Sequence, residues 1–349
     1  MMRPGFAAKH WYALSPISLL LIPFALAFGV LVRLRRLLYR LRLFSSVRLP
    51  VPVIVVGNLT VGGTGKTPLV LWLAAELQRQ GMRPGILCRG YGGSDAGPRA
   101  VQDHDDPRRV GDEAILLALR SGCPVWIGRD RAAAGIAMLG AHPERDIVVC
   151  DDGLQHYRIE RDIEIAVEDE RGHGNGLLLP AGPLREPADR PVDATVVNAA
   201  LPDAGIARLY AQSQVRRGQR PNGTAPAYRM HLEPRGFCFV GDLAREASLA
   251  DFAGKRVHAV AGIGNPQRFF SLLQRLGLDP VCHAFPDHHA YCAADLAFSE
   301  CDLVLMTEKD AVKCAHSGRS DLVVLRVDAI LDPEFREFLS LRLNGRASA

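Results

Sequence analysis

At 349 residues the chain is long enough for two domains with separate cores, and a hydrophobic content of 48% is sufficient to fill both. The net charge of +4 is unevenly spread: residues 1–50 hold eight of the 42 basic residues and no acid, which leaves 34 basic against 38 acidic side chains elsewhere and excludes a broad nucleic-acid-binding face. The eight cysteines contain no Cys-x-x-Cys pair and several sit in apolar runs, the pattern of small buried hydrophobes in a reducing compartment, so neither a disulfide framework nor a structural zinc site is expected.

From Ile17 to Val32 there is no charged residue, and the arginine-rich LVRLRRLLYRLRLF follows at once. As a helix this run measures roughly 24 Å, short of the roughly 30 Å hydrocarbon core of a bilayer. Pro23 and Gly29 are expected to kink it further. Arg33, Arg36 and Arg40 share one helical face, which suits a helix lying in an anionic interface, with Trp11 and Tyr12 at the same boundary. Charge follows the apolar run more strongly than it precedes it, against a cleaved signal peptide; packing on the protein's own core is the other alternative. Residues 1–48 are therefore read as a membrane-associated helical segment. The positive-inside rule then puts the arginines, and the site that follows them, on the cytoplasmic side.

Residues 51–68, VPVIVVGNLTVGGTGKTP, run from an apolar β-branched strand through a glycine-rich turn into a helix opened by Gly65-Lys66-Thr67. That is the pattern of a phosphate-binding loop. In Thr60, Val61, Gly62, Gly63, Thr64, Gly65, Lys66 and Thr67, backbone N–H groups converge on a polyphosphate, Lys66 reaches the β- and γ-phosphates, and the Thr67 hydroxyl holds Mg²⁺. Thr60 stands where the general consensus has its first glycine.

A β-α-β rhythm continues after the loop. PLVLWLAAELQRQG reads as a helix ended by Gly81, RPGILC as a buried strand, GDEAILLALRSG as a helix with Asp112 near its N-cap, CPVWIG as a strand and RDRAAAGIAMLGAH as a helix. RDIVVCDD is a strand ending on two aspartates, and RDIEIAVED and DATVVNA are the next strands. Residues 213–227 lose this rhythm and mark a boundary. Beyond it YRMHL and FCFV are read as a two-stranded connection, and a second α/β unit runs through KRVHAVAGIG, PQRFFSLLQRLG, PVCHAF, DLVLMTEKD and DLVVLRV. The predicted fold is α/β: a P-loop NTPase-like parallel-sheet domain over 49–225 and a second, smaller α/β domain with linker strands and a C-terminal tail over 226–349.

Asp151 and Asp152 end an apolar strand, where a Walker-B carboxylate binds Mg²⁺, and Gln155 and His156 follow within one turn. Asp112 and Glu113 form a second acidic pair. Capping explains them locally, but phosphoryl transfer to an alcohol also needs a carboxylate to accept the hydroxyl proton. Phe285-Pro286-Asp287-His288-His289 follows a strand end, where a cleft between domains would place it. Thr307-Glu308-Lys309-Asp310 ends another strand and faintly resembles a GTPase base-reading motif; helix capping explains it equally well.

Phosphate loop, RGYGG (89–93), VGDE (110–113), DDGLQH (151–156), GNGLLLPAGPLREP (174–187), AGIGNPQRFF (261–270), FPDHH and TEKDA stand in one order along one chain. In this the sequence resembles the tetraacyldisaccharide 4'-kinase family of lipid A biosynthesis, over roughly residues 10–330. The resemblance implies transfer of the γ-phosphoryl group of ATP to the 4'-hydroxyl of an acylated glucosamine disaccharide 1-phosphate at the cytoplasmic face of the bacterial inner membrane. It implies two α/β/α domains joined by a two-stranded linker with the active site between them. A catalytic pair falls on Asp112 and His288, Mg²⁺ contacts on Glu113 and Asp151, and Asp152 lies near the reacting groups. The family shares Thr60 at the head of the loop. A sugar phosphate demands cations, for which Arg89, Arg129 and Arg185 are candidates. ATP and Mg²⁺ are the expected cofactors; the partners are the acylated lipid and the membrane surface, with no nucleic acid and no evident protein partner. The rival reading is a membrane-associated P-loop NTPase switch acting on a protein, whose sign would be a base-specificity motif in the nucleotide domain.

Overall fold

The computed structural model describes residues 10–199 and 225–345. Of the 213–227 boundary only the last three residues fall within that range. In chain order the strands are β1 (Val53–Gly57), β2 (Pro84–Cys88), β3 (Arg99–Val101), β4 (Val125–Ile127), β5 (Ile147–Cys150), β6 (Ile163–Asp169), β7 (Ala194–Asn198), β8 (Ala227–Phe239), β9 (Asp242–Ala247), β10 (Val257–Ala261), β11 (Val281–Ala284), β12 (Leu303–Thr307) and β13 (Leu322–Leu331).

These strands form one sheet in the order β11-β10-β12-β13-β8-β7-β6-β1-β5-β2-β4-β3, with β9 paired onto β8. From β7 to β4 every neighbouring pair is parallel, and so are the pairs from β11 to β13. β1, β2, β5 and β7 are buried along their whole length, because helices cover both faces and leave no side for alternating polar residues. β1 sits between β5 and β6, so its carboxyl end delivers the glycine-rich turn next to the aspartates that end β5.

The linker differs from the sequence expectation. YRMHL and FCFV are not partners but successive parts of β8, which pairs parallel with β7 through Met230 and antiparallel with β13 from Met230 to Phe239. The intervening Pro234-Arg235-Gly236 reads as a turn but forms a bulge, with the register slipping opposite Arg326 and Val327.

The chain beyond residue 330, which carries no motif, forms a helix over Pro333–Asn344 that packs back on the phosphate-loop helix Lys66–Arg79. Phe335 is fully buried there, its ring 5.5 Å from Trp72 and 5.1 Å from Tyr228.

Among the described residues the N-terminal segment forms the helices Pro16–Leu20 and Ile22–Arg40, broken at Leu21. Pro23 lies in the first turn of the second helix, where its missing N–H has no partner to lose, so it starts the helix instead of kinking it. That helix runs on through Gly29, whose missing side chain admits Leu178: a Cβ would lie 2.8 Å from its Cδ1. Tyr39 and Arg35 pack against Tyr157, 5.6 Å away in each case, while Phe24, Leu26, Val30, Leu31, Leu34 and Leu37 are exposed. Trp11 is tied to the body, donating from Nε1 to the Pro180 carbonyl at 3.1 Å, and Tyr12 lies against Arg171. Among the described residues no helix is long and apolar enough to cross a membrane.

Removing the Phe335 ring should open a cavity between the C-terminal helix and the phosphate-loop helix. Phe335→Ala is expected to cost about 3–5 kcal/mol, read as a lowered denaturation midpoint with an unchanged denaturant slope.

Candidate active site

Gly65, at φ +95°, turns the chain into the helix that begins at Lys66. Lys66 Nζ lies 3.4 Å from Asn58 Oδ1 and 3.6 Å from Asp152 Oδ1. Arg185 Nη1 donates to the same two side chains at 3.2 and 3.1 Å. The loop is held from behind as well: Asn198 donates to the Thr64 carbonyl at 3.0 Å, Arg268 to Asn198 at 2.9 Å, and Arg171 to the Gly63 carbonyl at 3.0 Å. From the loop after β10 Gly264 comes so close that a Cβ on it would lie 2.5 Å from the Gly63 nitrogen. Only glycine fits there.

Asp151 and Asp152 are adjacent and opposite in charge behaviour. Burial, reinforced by Glu113 and Asp152 and opposed by Lys66, pushes the Asp151 carboxyl up to about 7. Burial also acts on Asp152, but Lys66 and Arg185 outweigh it and hold that carboxyl down at about 2. Asp151 Oδ1 is buried with no hydrogen-bond partner, while Arg131 donates to the Asp151 carbonyl at 3.3 Å. Such an orphaned oxygen beside a phosphate loop fits a cation ligand. Among the described residues no three His, Cys, Asp or Glu side chains converge on a metal cage.

Asp112 is the first residue of its helix, behind Gly111, and is 4% exposed. His288 Nδ1 lies 3.0 and 3.1 Å from its two oxygens, and the Glu113 N–H donates to it at 2.9 Å. Lys309 Nζ reaches Glu113 Oε1 at 3.1 Å, Asp287 Oδ1 at 3.0 Å and His288 Nε2 at 3.2 Å. An ammonium only donates, so His288 Nε2 is the acceptor and Nδ1 carries the hydrogen given to Asp112. His288 itself adopts φ +60°, in the left-handed region uncommon for residues other than glycine, and is held there by its N–H bond to the Gly262 carbonyl. Burial raises the Asp112 carboxyl, but the His288 hydrogen bond with Lys309 and Lys313 leaves it below the usual range. Burial depresses the imidazole, and the Asp112 hydrogen bond more than restores it, leaving it above its ordinary value.

A cavity of about 520 Å³ opens from Gly63–Thr67 and runs between the helices Lys66–Arg79 and Pro266–Arg275, with Leu71, Leu116, Leu325 and Val327 among its walls. A smaller one, about 110 Å³, lies on the other side of the pair between Tyr91, Asp112, His288 and Lys313.

A model of the family described as tetraacyldisaccharide-1-P 4'-kinase matches residues 17–344. The chain belongs to this family. The tetraacyldisaccharide 4'-kinase of Methylobacillus flagellatus is 46% identical over 96% of this chain and 95% of its own length. That of Dechloromonas aromatica is 48% identical over the whole of both. The crystal structure of LpxK from Aquifex aeolicus in complex with ATP superposes with a TM-score of 0.75 at 28% identity, over 93% of this chain and 99% of that one. Membership makes the chain an ATP-dependent kinase of lipid A biosynthesis.

Of the residues singled out in the sequence of this kinase, the loop 60–67, Asp151, Asp152, Arg185, Asp112, Glu113 and His288 are brought together. Gln155 joins them through the Asn58 carbonyl at 3.2 Å. Arg89 is an exposed residue at the end of β2, and Arg129 is exposed with its backbone N–H on the Ala96 carbonyl. His156 is pushed down to about 4 by burial and then by Arg131 and Arg89, so near neutral pH it is an uncharged imidazole and no cation for phosphate. Asn58, Asn198 and Arg171 were not singled out, and Lys309 was named only within the Thr307–Asp310 run and given no role. Only Lys309 carried a sequence sign, as the one cation among three polar residues at a strand end.

The His288–Asp112 pair has a pH signature. A raised imidazole pKa stabilises the fold fully below its unfolded value of about 6.5 and ceases to do so as pH rises through the folded value; a lowered carboxyl pKa stabilises above about 3.8 and ceases as pH falls through its folded value. The stability gap between wild type and His288→Gln, measured by denaturant titration, should be widest between about pH 4 and 6.5 and shrink toward pH 9.

Proposed function

We propose that this kinase phosphorylates the 4'-hydroxyl of a tetraacylated glucosamine disaccharide 1-phosphate through the Asp112–His288 pair. The observation that carries this reading is the buried carboxylate–imidazole contact from opposite units, closed beside a phosphate loop. ATP lies with its phosphates on residues 60–67 and Lys66, and its nucleoside in the 520 Å³ cavity. The acceptor hydroxyl enters from the side of the smaller cavity.

Asp112 accepts the hydroxyl proton as the 4'-oxygen bonds to the γ-phosphorus; the bond to the β–γ bridging oxygen breaks and ADP leaves. His288, donating from Nδ1, holds the carboxylate in line and shares the proton. Lys66 faces the charge that builds on the phosphates. Asp152, fixed by Lys66 and Arg185, keeps both cations in place before ATP arrives. Asp151, Glu113 and Thr67 would hold Mg²⁺, which when bound neutralises phosphate charge. Arg185, Arg89 and Arg129 are the cations available to the sugar phosphate.

A protein-directed switch would read its nucleotide through Thr307–Asp310. Here Asp310 is used within its own unit, accepting from the Gly262 N–H and the Thr307 hydroxyl, and Lys309 is committed to Asp287, His288 and Glu113.

The lipid acceptor places the reaction at a membrane, on the cytoplasmic face of the inner membrane. Supporting this, the helix Ile22–Arg40 exposes an apolar flank next to its arginines. Incubation with ATP, Mg²⁺ and the acylated disaccharide 1-phosphate should yield one added phosphate by mass spectrometry. Asp112→Ala and His288→Ala should each lower kcat by about 10²–10⁴ with little change in KM for ATP, and the double variant should lose far less than the product of the two. Multiplicative losses would separate the two residues.

Replacing Phe24, Leu31, Leu34 and Leu37 by serine should abolish flotation with anionic vesicles while leaving the ATP affinity intact, since these side chains are exposed on the N-terminal helix and do not line the cavity beside the phosphate loop. Undiminished flotation would locate the membrane contact elsewhere.

A further inference from the structure

The two units are joined by the β8–β13 ladder, and that ladder breaks at one point. Arg326 faces Gly236 but Val327 faces Pro234, which makes Arg235 an extra residue on β8. Pro234 has no N–H, and Gly236 takes φ +148° to absorb the bend. The Val327 N–H is instead donated to Glu308 Oε2 at 3.1 Å.

Arg120 reaches this point from the first unit. It lies near the end of the helix that starts at Asp112; its Nη1 is paired with Glu308, and its Nη2 donates to Asp328 Oδ1 at 2.6 Å. Asp328 also pairs with the bulged Arg235. The Arg120 and Glu308 side chains are only 16% and 12% exposed. One guanidinium thus grips two carboxylates of the other unit, one on the hinge strand and one beside Lys309. The Asp112–Ser121 helix also meets the Glu308–Cys314 helix through Glu113 against Lys309 and Asp112 against Lys313, with His288 reaching Asp112 from its loop.

We propose that Arg120 is a positioning residue that pins the bulge of the linker and so sets the separation at which Asp112 and His288 meet. The arm is short: Arg120 lies about 12 Å along the helix from Asp112, so a rotation of about 5° at the pin displaces the carboxylate by about 1 Å. A misplacement of that size costs up to about 10²-fold in rate. The kinetic part of this inference rests on Asp112 and His288 being the reacting pair; the structural part does not.

The test uses the full chain in a Cys292→Ser/Cys301→Ser background, with spin labels on the exposed Cys282 and on a cysteine introduced by Ile136→Cys, one in each unit. The variant Arg120→Met/Glu308→Gln removes the pin without stranding a buried carboxylate; should it melt below the assay temperature, Asp328→Asn removes one anchor alone. The distance distribution between the labels should broaden and lengthen, kcat should fall at least about tenfold with KM for ATP within about twofold, and Arg120→Lys, which cannot fork to two carboxylates, should fall between. An unchanged distance distribution overturns the pin. A lengthened distribution with unchanged kcat upholds it and overturns Asp112–His288 as the reacting pair.

Discussion

Four acidic side chains, Asp112, Glu113, Asp151 and Asp152, crowd one junction, and two of them are almost wholly cut off from water. Carboxylates buried together must either hold protons or find cations, and the surrounding structure is organised to supply cations from distant parts of the chain. Lys66 comes from the phosphate loop, Arg185 from the loop before β7, and Lys309 and Lys313 from the helix after β12. Each carboxylate meets a different degree of compensation. Asp152 has two cations and stays ionised; Asp151 has an unpartnered oxygen and a raised pKa, which leaves room for a further positive charge.

This charge pattern also ties distant parts of the chain together. Asp112 and Glu113 meet His288, Lys309 and Lys313 from nearly two hundred residues further on, so breaking these contacts would strand buried charge on both sides. Reach across the junction is fixed by backbone: Gly264 touches Gly63, and His288 is held in a left-handed conformation by the Gly262 carbonyl. Asp112 and His288 line the smaller cavity, and the phosphate loop, Glu113 and Lys309 line the larger one.

The N-terminal helix follows a different logic. Its arginines are not drawn into the acidic junction, since Arg35 stacks on Tyr157 and the apolar flank faces outward. Positive charge and exposed leucines are thereby segregated in one helix, away from a mildly acidic body.

The sequence by itself determined the parts whose chemistry is local. A β-branched run followed by Gly65-Lys66-Thr67, a strand ending on Asp151-Asp152, and the regular alternation of strand and helix each follow from a few consecutive residues, and the structure has them in the expected places. The order of motifs also carried the family. What the sequence could not determine was set by contacts far apart in the chain. Pro234-Arg235-Gly236 has the composition of a turn, yet it is a bulge because β13, some ninety residues on, offers a continuous ladder and Glu308 accepts the N–H left over. Lys309 looked like part of a helix cap until folding set it against Glu113 and His288. Asp112 is buried instead of solvated because residues far along the chain cover it, and only that covering sets an imidazole against a helix-terminal carboxylate.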